Sequence, residues 1–324
     1  MTMEPIIPPV DRASIESELT PERFLRHTNK GDNLLYVVDA HCAPNTMLEI
    51  GRLREEAFRQ AGGGTGQPYD IDEFDTMPEP CRQLVVWDPH AREILGGYRF
   101  ITGDRIDMSS GVPRIATAHL FRFSERFLKE ILPDTLELGR SFVAVGYQSS
   151  KAGTKALFAL DNLWDGLGAL TVVYPHIKYL FGKVTMYPAF GRENLDLILG
   201  FLNKHFPDAD ELVRPIHPIV TKAMSPEVQQ KFSGGNYKED YRILNRLIRE
   251  KGLNIPPLVN AYMSLSPTMR VFGTAVNDEF GDVEESGIFL TISEILQEKK
   301  DRHINTYKEN ARSLATQKEE ISHG

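Results

Sequence analysis

Between residues 34 and 206, short apolar runs of strand length alternate with stretches of helical spacing. Asn33–Ala40 reads as a strand because Leu34, Leu35, Tyr36, Val37 and Val38 form a short apolar run. Asn45–Gln60 follows as a helix, stopped by Gly62, Gly63 and Gly64. Arg82–Trp87 and Glu93–Thr102 read as two strands joined by Asp88-Pro89-His90-Ala91, which has turn composition. Thr135–Val145 and Tyr179–Tyr187 are expected to be further strands. Thr154–Leu170 and Glu193–Phe206 carry apolar stripes at helical spacing, as in Leu195, Ile198, Leu199 and Leu202. Such alternation calls for a sheet with helices on its faces, in an α/β or α+β architecture.

The flanks differ. Residues 1–33 are polar, charged and Pro-containing, and read as a partly ordered lead-in to a core at 34–210. A Pro-rich connection at Pro215–Gly235, a helix at Lys238–Lys251 and an extended apolar region at Pro257–Leu290 make up a C-terminal elaboration, 211–296. The remainder, 297–324, is a charged tail that reads as a solvated helix or as disorder. No internal repeat of solenoid length is present.

With 41% hydrophobic and 25% charged residues among 324, the composition is that of an ordinary soluble globular chain. The longest apolar runs hold about five or six residues where a spanning helix needs about twenty, so no segment is expected to cross a membrane. Met1–Val10 lacks the basic start and apolar stretch of a secretory signal. Cys42 and Cys81 stand far apart without metal-type spacing, which favours a reducing cytoplasm. A net charge of −8 argues against nucleic acid as a partner. The nine histidines form no HxxxH or HExxH pair, and no serine sits in a GxSxG elbow. Neither a metal site nor nucleophilic hydrolysis is expected.

Four segments invite chemistry. The glycines at 62–64 follow a helix rather than precede one, so helix termination outweighs a phosphate loop. Asp70-Ile71-Asp72-Glu73-Phe74-Asp75 reads as a solvated acidic loop, with a site for an amine substrate as the functional alternative. Leu136-Glu137-Leu138-Gly139-Arg140-Ser141-Phe142-Val143 reads as a strand holding a carboxylate and a guanidinium in its interior. Buried strands rarely carry such charges unless they are paired or functional. Gly139 suits a bulge that re-aims its neighbours, and a supporting Glu137–Arg140 or cross-strand ion pair is the alternative to a functional role. Finally, Lys151, Gly153 and Lys155 stand at the start of the Thr154 helix, where a phosphate would meet free N–H groups and positive charge.

Several strings, in order, resemble one family: Leu53-Arg54-Glu55-Glu56-Ala57-Phe58, Asp72-Glu73-Phe74-Asp75, Gly96-Gly97-Tyr98-Arg99-Phe100, Glu137–Val143, Leu163-Trp164-Asp165-Gly166, Leu180-Phe181-Gly182, Pro256–Tyr262 and Asp278-Glu279-Phe280. The set, spanning about residues 34–292, is similar to the lipid-forming N-acyltransferases of the GNAT superfamily, the ornithine-lipid and glycine-lipid enzymes often labelled hemolysin-like. More distantly it resembles the acyl-homoserine-lactone synthases. Two departures stand out: the strand string has Phe142 between Ser141 and Val143 where many ornithine-type members have Cys at the middle position, and Gln148–Gly153 is a degenerate form of the GNAT pyrophosphate loop.

The resemblance implies an α+β fold with a GNAT-like mixed sheet flanked by helices. It also implies transfer of a (3-hydroxy) fatty acyl group to the α-amine of a small amino acid of glycine or ornithine type. The donor implied is an acyl-thioester on an acyl carrier protein, with acyl-CoA the alternative, and no bound cofactor or metal. A cytoplasmic enzyme with peripheral contact at the inner membrane face is implied as well. Glu137 is the expected base or water relay, Asp75 a second base or holder of the amine, and Tyr187 the acid. Arg99, Arg140, Asp72 and Arg54 are expected to bind substrate. Amides of Phe142, Val143 and Ala144 are the implied oxyanion and pantetheine partners, and Lys151, Gly153 and Lys155 complete the donor site. An acetyl-CoA-dependent acetyltransferase and an idle lipid-binding relative are the competing readings.

Overall fold

The computed structural model describes residues 3–148 and 154–309, with the backbone alone at 154–157. Ten strands are formed among them: β1 (Phe24–His27), β2 (Leu34–Val38), β3 (Arg82–Asp88), β4 (Glu93–Thr102), β5 (Phe121–Phe123), β6 (Thr135–Val143), β7 (Tyr179–Met186), β8 (Val213–Pro215), β9 (Arg270–Asn277) and β10 (Val283–Thr291). Eight of them make one sheet in the order β1-β2-β3-β4-β6-β7-β10-β9, while β5 and β8 pair separately. Neighbours are antiparallel throughout, except for the parallel pair β6 and β7.

The helices are α1 (Arg12–Glu18), α2 (Pro44–Ala61), α3 (Glu73–Thr76), α4 (Thr154–Val173), α5 (Arg192–His205), α6 (Pro226–Gln229), α7 (Tyr237–Glu250), α8 (Pro257–Met263) and α9 (Gln297–Lys300). Alternation along the strands decides which helix goes where. Leu35, Leu84, Val86, Leu136 and Leu138 face Leu163, Leu167 and Leu170 of α4. Tyr36, Val38, Val85 and Trp87 face Met47, Ile50 and Phe58 of α2 on the opposite side. The expected α+β arrangement of a mixed sheet between helices is therefore the one formed.

Three stretches carry more structure than their composition suggests. In the lead-in, Asp11 caps α1 through Ser14 N–H, and Ile15 and Leu19 are buried beside α2. The region read as extended, 257–290, opens with α8 and then supplies β9 and β10 to the sheet. The start of the charged tail is helical, and His303 and Ile304 are buried there. His303 Nδ1 lies 2.8 Å from the buried Asp165 of α4, a partner that composition alone could not reveal.

One irregularity of the sheet lies between β4 and β6. Gly97 pairs with Phe142 and Arg99 with Gly139, so Tyr98 alone opposes both Arg140 and Ser141. This is a β-bulge, as Gly139 led one to expect, and its extra residue Arg140 has a φ of 48°. Parallel pairing of β6 with β7 runs from Thr135↔Tyr179 to Leu138↔Gly182 and stops there. β7 continues along β10 as far as Met186↔Glu284. Gly182, at the last paired position, permits the close approach: a Cβ there would lie 2.5 Å from the Leu138 carbonyl oxygen. Gly182→Ala is expected to destabilise the chain by about 1–3 kcal/mol, the usual range for overpacking. Chemical denaturation of the variant measures it; an unchanged midpoint would show that β6 and β7 yield without cost.

Candidate active site

Beyond Leu138 and Gly182, residues of the two parted strands line one cavity of ≈ 690 Å³. Its wall is largely apolar, with Phe58 from α2, Phe142 and Val143 from β6, Leu160 from α4, Leu195 from α5 and Leu258 from α8. The charged side chains in its lining are Arg140, Lys183 and Glu285, with Thr185 and Tyr187 beside them. Burial, with the Glu285 charge adding to it, pushes the Tyr187 hydroxyl up to about 12. It therefore holds its proton at neutral pH.

The strand edge at the cavity has a defined polarity. Ala144 N–H donates to Leu95 O of β4 at 2.9 Å. By alternation, Val143 N–H and C=O point to the opposite edge, the side vacated by β7. Gln148 Nε2 donates to that Val143 carbonyl at 2.7 Å. Of the three amides expected to serve an oxyanion, Ala144 is thus engaged within the sheet, and Val143 is directed to the open side.

Behind the cavity runs a buried network of charges. Arg99 Nη1 donates to Asp72 Oδ1 at 2.6 Å and to Asp75 Oδ2 at 3.2 Å. Asp75, fully buried, also accepts from Arg54 Nη1 at 3.2 Å and from Gln83 Nε2 at 2.8 Å. Arg140 Nε donates to Asp70 Oδ1 at 3.2 Å and Nη2 to Asp72 Oδ2 at 3.4 Å, while its guanidinium carbon stands 4.7 Å from the centre of the Phe280 ring. Burial works to raise Asp72, but the charges of Arg99 and Arg140 outweigh it and hold that carboxyl well below the usual range. For Asp70, burial wins over Arg140 and the carboxyl is raised. Glu137 is likewise raised by burial, against the opposing charges of Arg99 and Lys183.

The site residues expected from sequence are thereby divided. Arg140, Phe142, Val143 and Tyr187 line the cavity. Glu137, Asp75, Arg99 and Arg54 are buried outside its lining, and Asp72 joins them through Arg99. The acidic stretch is no solvated loop: Asp70 and Asp75 are buried and paired with arginines because three guanidinium groups converge on them. The opposing charges that act most on Glu137 are those of Arg99 and Lys183. Lys151 and Gly153 lie outside the described residues, as does the side chain of Lys155. The 62–64 glycines do end a helix: Gly62, with φ 97°, and Gly63 donate to Arg59 O and Phe58 O.

Sequence reasoning missed Lys183 and Glu285. Lys183 Nζ pairs with Glu285 Oε2, which also accepts from Asn277 Nδ2 at 3.0 Å; Thr185 Oγ1 donates to Oε1 at 3.0 Å. Burial acts to raise Glu285, yet Lys183 and the hydrogen bonds hold it below the usual carboxylate range. The signal that flagged Glu137, a charge inside a strand, was present in both cases. Removing one member of such a network leaves its partners charged and buried. Asp75→Asn, which leaves Arg54 and Arg99 facing each other, is expected to cost about 3–5 kcal/mol in urea unfolding. A variant as stable as the parent would mean that water already reaches these groups.

Residues 53–157 match the family described as the acetyltransferase (GNAT) domain. A glycine N(alpha)-acyltransferase of Bacteroides thetaiotaomicron is 59% identical over 309 residues, covering 95% of this chain and 92% of that protein. A second protein of that name, from Phocaeicola vulgatus, is 57% identical over 306 residues and covers 94% of each. Among solved structures, FeeM, an N-acyl amino acid synthase from uncultured soil microbes, aligns at 16% identity with a TM-score of 0.27, over 52% of this chain and 78% of its own. At the identity and coverage of the first two, the chain belongs to their family and is an N-acyltransferase of the GNAT type.

Proposed function

We propose that the protein moves a (3-hydroxy) fatty acyl group from an acyl carrier protein thioester to the α-amine of glycine, forming an aminolipid. The observation that carries this reading is the cavity: a long-chain volume of ≈ 690 Å³ with mostly apolar walls and an ionic end. An acetyl group would leave most of that apolar surface uncovered, which disfavours acetyl-CoA as the natural donor. Glycine as acceptor follows the names of the two glycine N(alpha)-acyltransferases.

Support for a carrier protein comes from α7. Lys238, Arg242, Arg246 and Arg249 recur at helical spacing and are all exposed, on a chain whose net charge is −8. The segment after α7, Leu253 to Val259, reaches the cavity wall. An acidic carrier seated on that stripe would have its pantetheine arm beside the opening. Lys151, Gly153 and Lys155 remain the proposed seat of the phosphate.

In the reaction the amine attacks the thioester carbonyl, the C–N bond forms and the C–S bond breaks. The ammonium loses two protons in all: one leaves to solvent by way of the Glu137 relay, and the other restores the proton that Tyr187 gives to the departing thiolate. Val143 N–H, on the open strand edge, is the proposed oxyanion donor. Tyr187 is the proposed acid for the departing thiolate, because it keeps its proton at neutral pH. Glu137 suits the relay better than the direct base, since its carboxylate is buried outside the cavity lining.

Expression in a host lacking such lipids should yield a new N-acyl glycine species in lipid extracts. Well-folded protein without any new amide-linked lipid would count against the reading. Tyr187→Phe should lower kcat by roughly 10²-fold or more, whereas Glu137→Gln should fall short of the roughly 10²–10⁴-fold loss expected of a direct base. The reverse order in stable variants would return the base role to Glu137. Charge reversal at Arg246 and Arg249 should raise KM for acyl carrier protein far more than for an acyl-pantetheine lacking the phosphate. The defect should grow as salt is lowered. Equal effects on both donors would remove α7 from the docking surface.

A further inference from the structure

The apolar cavity ends on Arg140, Lys183 and Glu285, and nothing in the reaction of the acyl chain itself needs three ionic groups there. Ionic side chains lodged against apolar walls are costly unless each is paired. Here the pairing is built with care. Glu285 accepts from Lys183, Asn277 and Thr185. Arg140 is fixed by Asp70 and Asp72 on one side and by the Phe280 ring on the other. Yet all three residues are among those that line the cavity.

Resting on the acyl-transfer reading above, we propose that this cluster is the acceptor site. It takes an α-amino acid as its zwitterion, the carboxylate on the Arg140 guanidinium and the ammonium on the Glu285 carboxylate. Lys183 keeps Glu285 ionised and in place. A zwitterion brings no net charge into the cavity, so both of its ends are satisfied without unbalancing the network behind. The same inventory sets the specificity. Glu285 is the one carboxylate among the described residues lining the cavity, so the second ammonium of a dibasic acceptor such as ornithine would be desolvated without a partner. A neutral amino acid meets no such penalty. The carboxylate contact likewise sets glycine apart from an amine that lacks one.

The test is steady-state kinetics on the full-length chain with acylated carrier protein as donor. Glycine, glycinamide and ornithine serve as acceptors. The unmodified enzyme should prefer glycine to glycinamide and to ornithine by roughly 10–100-fold in kcat/KM, the scale of one lost charge-assisted contact. Arg140→Gln should abolish the preference over glycinamide, and Glu285→Gln should raise KM for glycine by roughly 10–100-fold while leaving KM for the donor within about twofold. Because either variant could unfold, the acceptor panel on the unmodified chain stands as an independent reading. Equal use of glycine and glycinamide by the unmodified chain would overturn the site. So would folded variants in which the KM values for glycine and donor rise together, or in which neither moves. If the unmodified chain makes no amide from any acceptor, the acyl-transfer reading itself fails, and this site with it.

Discussion

Arg140 sits at a φ of 48°, a conformation that an L-residue with a long side chain occupies only when its surroundings hold it there. Asp70, Asp72 and the face of Phe280 do the holding. The consequence is mechanical. With two residues of β6 against one of β4, the strand bends at the bulge, and its pairing with β7 ends two residues before Arg140, at Leu138. Parallel strands that stop pairing leave a row of unclaimed backbone groups, which ordinarily is a liability inside a protein. Here that edge becomes the wall of a cavity. The bulge, the parted strands and the binding volume are one feature.

The same arginine links two regions far apart in sequence. Asp70 and Asp72 precede β3, Arg140 is in the middle of β6, and Arg99 of β4 joins the pair through Asp72 and Asp75. A network this deeply buried is poor evidence for stability, because apolar residues of similar volume often serve as well or better. Its value lies in position. Four cations, Arg54, Arg99, Arg140 and Lys183, alternate with the carboxylates of Asp75, Asp72, Asp70 and Glu285, so that each guanidinium or ammonium has an acid beside it. Arg140 is thereby presented to the cavity at a fixed angle rather than as a flexible side chain.

Much of this was legible in the sequence, and for identifiable reasons. The β6 string drew attention because charge inside a strand must be explained, and Gly139 marked the bulge correctly. The helix stop at Gly62 needed only the order of helix and glycines. What failed was the acidic stretch: four carboxylates in six residues look solvated until the arginines of three other elements are brought to them. Lys183 and Glu285 escaped for a related reason. Residues 257–290 read as extended apolar chain, so Glu285 was never placed beside β7, and although each strand carries a charge in its interior, neither strand alone shows which residue answers it. Local pattern finds elements; long-range pairing of charge it does not find.

If the cavity takes acyl chain and amino acid together, as proposed, the two halves are joined at the end of the reaction, which raises the question of how product leaves. The ionic end supplies an answer in the reading developed above. The acceptor enters as a zwitterion, and the amide that forms carries no positive charge. Glu285 then loses the ammonium it faced, while the product keeps only its carboxylate. The site that balanced the substrate no longer balances the product, and the charge-assisted contact that held the amine is replaced by a weaker one to a neutral N–H. Acyl transfer in this geometry weakens its own product's hold at the polar end, leaving the Arg140 contact to the carboxylate and the apolar wall to retain the product.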